Sequence, residues 1–61
     1  MTLSEANTAL EEIVERNDCT VYCKAMVDGN KVAIHLDGEF NCGDLFQIVD
    51  IASAINSTDI Q

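Results

Sequence analysis

Apolar residues recur along this chain in two rhythms, at every third or fourth position near both ends and at every second position in between. In the first stretch Leu3, Ala6, Ala9, Leu10, Ile13 and Val14 keep helical spacing. Thr2 stands three residues before Glu5, the spacing of a reciprocal capping box, which predicts a helix from Leu3 to Arg16 with its exit at Asn17-Asp18. At about 100° per residue the apolar side chains fill one arc, and Glu5, Glu11, Glu12 and Glu15 project from the opposite side as a carboxylate stripe. Glu12 and Arg16, four apart in the favourable order, add a few tenths of a kcal/mol to that helix.

From Cys19 to Val27 the rhythm becomes alternation. Cys19, Val21, Cys23, Ala25 and Val27 share one side, and Thr20, Tyr22, Lys24 and Met26 the other. Asp28-Gly29-Asn30 is a turn signal, after which Lys31 to Asp37 alternates again with Val32, Ile34 and Leu36 in one parity. A hairpin follows. Its register is fixed by parity: Ala25 opposite Val32 or Ile34 joins the apolar sets, whereas Ala25 opposite Ala33 separates them. An even-length loop is therefore expected, either two residues such as Asp28-Gly29 or a four-residue version.

A second helix is expected from Leu45 to about Asn56, with Asp44 three residues before Gln47 as its capping signature. Leu45, Ile48, Val49, Ile51, Ala52 and Ile55 cover an arc of roughly 160°, wider than the ~100° of a simple surface helix, so burial on more than one side is expected. Phe46 falls outside that arc, near Asp50 and Ser53, and is a candidate anchor for a partner. The end, from Ser57 to Gln61, is expected to fray. No internal repeat, linker or low-complexity tract interrupts the 61 residues, which are read as a single domain over 1–61.

This order predicts the α+β class, α-β-β-α, with an antiparallel hairpin and two helices packed on one face. A chain of this length buries only about 60% of its unfolded surface, and a lone two-stranded ribbon has two free edges. A homodimer is the expected remedy, by joining hairpins edge to edge or by packing the broad second helix on its copy. The alternative is a monomer with a third short strand at Gly38-Phe40.

Charge narrows the choice of partner. Eleven carboxylates against three basic side chains give a formal net charge of -8, the wrong sign for direct contact with nucleic acid or an anionic membrane. No apolar run approaches the ~18 residues of a membrane span, and Met1-Thr2-Leu3-Ser4-Glu5 does not resemble a secretory signal. A cytoplasmic protein with reduced thiols is expected.

The candidate chemistry is thin. Cys19, Cys23 and Cys42 with His35 could compose a zinc set, but Cys19 and Cys23 would stand about 13 Å apart on an extended strand, in the parity opposite to His35. Cys42 sits just ahead of the second helix, where a thiol can be activated, but Asp44 adds negative charge close by and no resolving partner is apparent. His35, Asp37, Lys24 and Tyr22 read as the polar positions of a partly exposed strand rather than a catalytic base with its orienting groups. No glycine-rich phosphate loop or serine elbow occurs. The expectation is therefore neither enzyme nor cofactor carrier but a small acidic protein–protein interaction module with a regulatory or inhibitory role and a basic protein partner. Glu5, Glu11, Glu12 and Glu15 are the polar candidates for the contact, and Tyr22, Met26 and Phe46, with Ala33 beside them, the apolar ones. Two other functions compete. The carboxylates could stand in for duplex phosphates in an inhibitor of a nucleic-acid-binding protein, an analogy of charge and size with short phage- or virus-encoded inhibitors; or the chain could be a small metal-stabilised domain.

Overall fold

A computed structural model describes the backbone of residues 1–58 and the side chains of residues 1–55. Four elements follow in the order helix, strand, strand, helix: α1 over Leu3–Arg16, β1 over Tyr22–Asp28, β2 over Lys31–Asp37 and α2 over Cys42–Thr58. The α-β-β-α order and the antiparallel hairpin agree with the sequence pattern.

α1 begins where its capping box places it. The Thr2 hydroxyl accepts from the Glu5 amide at 3.1 Å, and a Glu5 carboxylate oxygen accepts from the Thr2 amide at 2.8 Å. Two of the otherwise unpaired amides at the helix start are satisfied in this way. The exit falls at Asn17-Asp18 as expected, but the strand does not begin directly after it. Asn17 caps the helix, and Asp18 and Cys19 then both take left-handed backbone, with φ of 56° and 59°. Their amides donate back to Glu15 and Val14 carbonyls at 3.0 and 2.9 Å, and this closure uses Cys19, which alternation alone assigned to a strand. β1 consequently starts at Tyr22 rather than Cys19.

The hairpin register puts Ala25 opposite Ile34, with Cys23 opposite Leu36 and Val27 opposite Val32. All three pairs lie on one face. The loop has the expected even length of two, but its residues are Gly29-Asn30, one position later than Asp28-Gly29. Gly29 carries φ +69° in the first loop position, a backbone that favours glycine there. No strand forms over residues 38–40. Gly38 instead makes a close passage with φ +106°, where a Cβ would lie 3.1 Å from Val21 Cγ1.

α2 begins earlier than the sequence suggested, because Asn41 caps it. The Asn41 side-chain oxygen accepts from the Asp44 amide at 2.8 Å. Asp44 is thus the third residue of the first turn, not its cap, and Cys42 lies within the helix. α2 continues past the expected end at Asn56; the fraying expected over 57–61 falls, from Asp59 onward, outside the described residues.

The core joins Ala6, Leu10 and Ile13 of α1, Cys23 and Ala25 of β1, and Ile48, Ile51 and Ile55 of α2. α1 lies over β1 and carries α2 against its flank, so α2 touches β2 only lightly. That placement corrects the wide arc expected for α2. Ile48, Ile51 and Ile55 are buried, but Leu45 and Val49 are exposed at 39% and 63%. None of the described helices is long and apolar enough to cross a membrane.

Candidate functional site

A broad concavity lies between α1 and the outer edge of β1. Its volume is about 670 Å³, and it opens to solvent. Helical spacing builds one wall: Ser4, Thr8, Glu11 and Glu15 recur every three or four residues, with Asn7 and Val14 lower on the same side. Tyr22, Cys23 and Lys24 of β1 form the other wall, and Cys19 closes one end. The paired left-handed residues at 18 and 19 turn the chain sharply enough to place that end beside Val14.

Asn7 fixes the floor. Its side-chain oxygen accepts from the Ala25 amide at 2.8 Å and its side-chain nitrogen donates to the Ala25 carbonyl at 3.0 Å. The carboxamide thus takes the place of a neighbouring strand at one position of the β1 edge. It also shows which way the ladder faces: Ala25 turns its backbone outward, and by the alternation of an antiparallel pair Cys23 and Val27 do the same. An edge that would otherwise invite pairing is blunted at its middle.

The Cys23 thiol is buried and lies 3.4 Å from the Leu10 carbonyl, to which it donates. Burial pushes its pKa up, and the negative charge of Asp44 pushes in the same direction. Cys23 is held as a neutral thiol that packs. Cys19 and Cys42 are free and exposed.

A second polar cluster ties the helices together away from the groove. Arg16 pairs with Asp44 at 2.7 Å and donates to Gln47 at 2.8 Å, while the side-chain amides of Asn17 and Asn41 donate to the other Asp44 oxygen at 2.9 and 3.1 Å. Asp44 is buried yet ionised. Asn17 contributes most to holding its carboxyl below the usual range, followed by Arg16 and Asn41, against the opposing effect of burial. Its position in the first turn of α2 also suits the helix dipole. These contacts serve the fold.

The seven candidate contact residues are thereby sorted. Glu11, Glu15 and Tyr22 meet on the groove. Glu12 is exposed outside it. Glu5 is committed to the capping box, and its hydrogen bonds with Thr2 lower its pKa. Met26 is half-buried opposite Ala33, and Phe46 stands on α2 with 71% exposure. Among the described residues no three His, Cys, Asp or Glu side chains gather closely enough to hold a metal ion. His35 is opposite Lys24 in the hairpin and Cys23 opposite Leu36, in the two different parities.

Asn7 is the residue that sequence patterning overlooks. Its signal is an asparagine, a modest helix former, placed mid-helix at the margin of the apolar arc. A much smaller apolar crevice, about 100 Å³, lies where Val32 and Ile34 of β2 face Ala52 and Ile55 of α2. No known family, curated protein or solved structure matches the chain.

Proposed function

We propose that the chain is an interaction module that works by binding rather than catalysis, and that it takes a basic, extended segment of a partner protein in the groove between α1 and β1. One observation carries this reading: Glu11 and Glu15 stand on one wall of the α1–β1 concavity and Tyr22 on the other. Lysine or arginine side chains of such a segment reach the two carboxylates, and its apolar side chains rest on Val14 and the Tyr22 ring. Lys24 on the opposite wall disfavours a second positive charge beside the strand, which sets the segment's orientation. Asn7 already occupies the backbone of Ala25, so side chains rather than continuous strand pairing supply the affinity. Occupying a basic surface of a partner is a regulatory or inhibitory act.

Phosphate mimicry draws less support, because Glu5 and Asp44 are engaged within the fold and do not join Glu11 and Glu15 in one array. A fluorescent short peptide alternating lysine and valine is the probe that separates the readings. Binding that weakens about tenfold in the Glu11→Gln/Glu15→Gln variant, and is unchanged in Glu12→Gln, supports the groove. Equal loss in both variants indicates a diffuse field and sinks the assignment.

A further inference from the structure

We infer that a second copy of this chain covers the open side of the core, the two protomers meeting along the outer edge of β2 and the uncharged side of α2 about a two-fold axis perpendicular to the sheet. The two edges of the ribbon differ. α1 overhangs the β1 edge, and both hydrogen bonds of its Asn7 go to Ala25 there. Ile34 pairs with Ala25, so by the same alternation the backbone of Val32, Ile34 and Leu36 faces outward on the β2 side. α2 leans toward α1 and leaves the apolar face of β2 thinly covered, with the crevice at Ala52 and Ile55 as the visible gap.

The surface around that gap approaches the size that self-association needs. Leu36, Leu45, Phe46 and Val49 are exposed at 47, 39, 71 and 63%. Together they offer roughly 450 Å² of side-chain surface, and the half-buried Val32, Ile34 and Ala52 bring the face toward the roughly 600–800 Å² that each partner gives to a stable dimer. Charge selects the occupant. The strip of α2 running from Ala52 through Leu45 to Val49 carries no ionisable carboxylate, and Asp50 stands only at its far margin beyond Phe46, on a chain whose net charge is -8. Two copies can approach through this face without opposing their acids, and a basic partner finds nothing on it to neutralise. Pairing β2 with its copy makes a four-stranded sheet, removes the unprotected edge, and sets the two α2 helices side by side over the axis.

The test is sedimentation of the full chain under reducing conditions, up to about 100 μM. The expected mass is twice 6.7 kDa. Val49→Asp should weaken association at least tenfold with unchanged circular dichroism, and Glu12→Gln should leave it intact. Should Val49→Asp fail to fold, Phe46→Ser, at the most exposed large apolar position among the described residues, gives the same reading. Hydrogen exchange supplies the geometry: amides of Val32, Ile34 and Leu36 should slow as concentration rises. A single 6.7 kDa species at the highest concentration overturns the inference, as does a dimer indifferent to both substitutions or one whose β2 amides exchange as fast as in the monomer. This face is separate from the α1–β1 groove, so either assignment can fail without the other.

Discussion

Replacing Asn7 with alanine removes two hydrogen bonds from a single point on the outer edge of β1. Both are short, at 2.8 and 3.0 Å, and both end on Ala25, which is 1% exposed. A typical net contribution is about 0.5–1.5 kcal/mol per bond, with a further penalty if the abandoned amide and carbonyl do not find water. The groove above them is open, so water replaces part of the loss, and a total of about 2–3 kcal/mol is expected. A chain of this size has only about 3–9 kcal/mol in total. With a urea dependence near 1 kcal/mol per molar for so small a protein, the unfolding midpoint should fall by about 2–3 M. Asn7→Asp separates hydrogen bonding from packing. Its carboxylate can still accept from the Ala25 amide but repels the Ala25 carbonyl, so its folded pKa is raised above the unfolded value of about 4. The protonated form donates to the carbonyl; its stabilisation is complete below the unfolded pKa and is lost as pH rises through the folded one. The deficit of Asn7→Asp relative to the parent protein should therefore shrink as pH is lowered through the raised folded value and be smallest below about pH 4. An Asn7→Ala midpoint within about 0.5 M of the parent, or a deficit of Asn7→Asp that ignores pH, would refute the account of the β1 edge.

Further outcomes follow from the core and its joints. Leu10→Ala, at a position with no exposed surface, should cost about 2–5 kcal/mol and leave most molecules unfolded by calorimetry at 37 °C. Gly38→Ala should lower the thermal midpoint by an amount equivalent to about 1–3 kcal/mol, because φ is +106° and the new Cβ would press on Val21, whereas Cys19→Gly, at φ 59°, should raise stability by about 0.5–1 kcal/mol in urea titration. The depressed pKa of Asp44 implies a stabilising contribution that is complete above the ordinary carboxylate range and lost as pH falls through the folded value. Urea midpoints should hold from neutrality to about pH 5 and then drop, and Asp44→Asn should start lower and drop less.

Much of the fold was legible because its signals are local. Thr2 and Glu5 mark one helix start within four residues, and the parity of Ala25 and Ile34 admits one class of register. The misplacements share a cause, which is distance along the chain. Nothing near Asp44 announces that Arg16 and Asn17, 28 and 27 residues away, will bury it, so its spacing to Gln47 resembled a cap while Asn41 held that role. Cys19 continues the alternation of β1, but the return of its amide to Val14 decides its backbone. A helical wheel locates Leu45 and Val49 among apolar neighbours without saying whether a neighbouring element reaches them. For the candidate site, the carboxylate stripe was visible; that β1 would run beside Glu11 and Glu15 and leave Glu12 outside was a matter of packing.

α2 is gripped in two ways. Asp44 and Gln47 near its start are hydrogen-bonded to Arg16, with Asn17 and Asn41 on the same carboxylate, and farther along Ile48, Ile51 and Ile55 are buried in the core. The Asp44 knot joins α2 to the end of α1, so any partial opening that releases α2 must break it, and doing so bares the aliphatic surface of Ile48, Ile51 and Ile55. The population of that half-open species then adds to global unfolding in setting how readily the chain is cut by proteases or tangles with its neighbours.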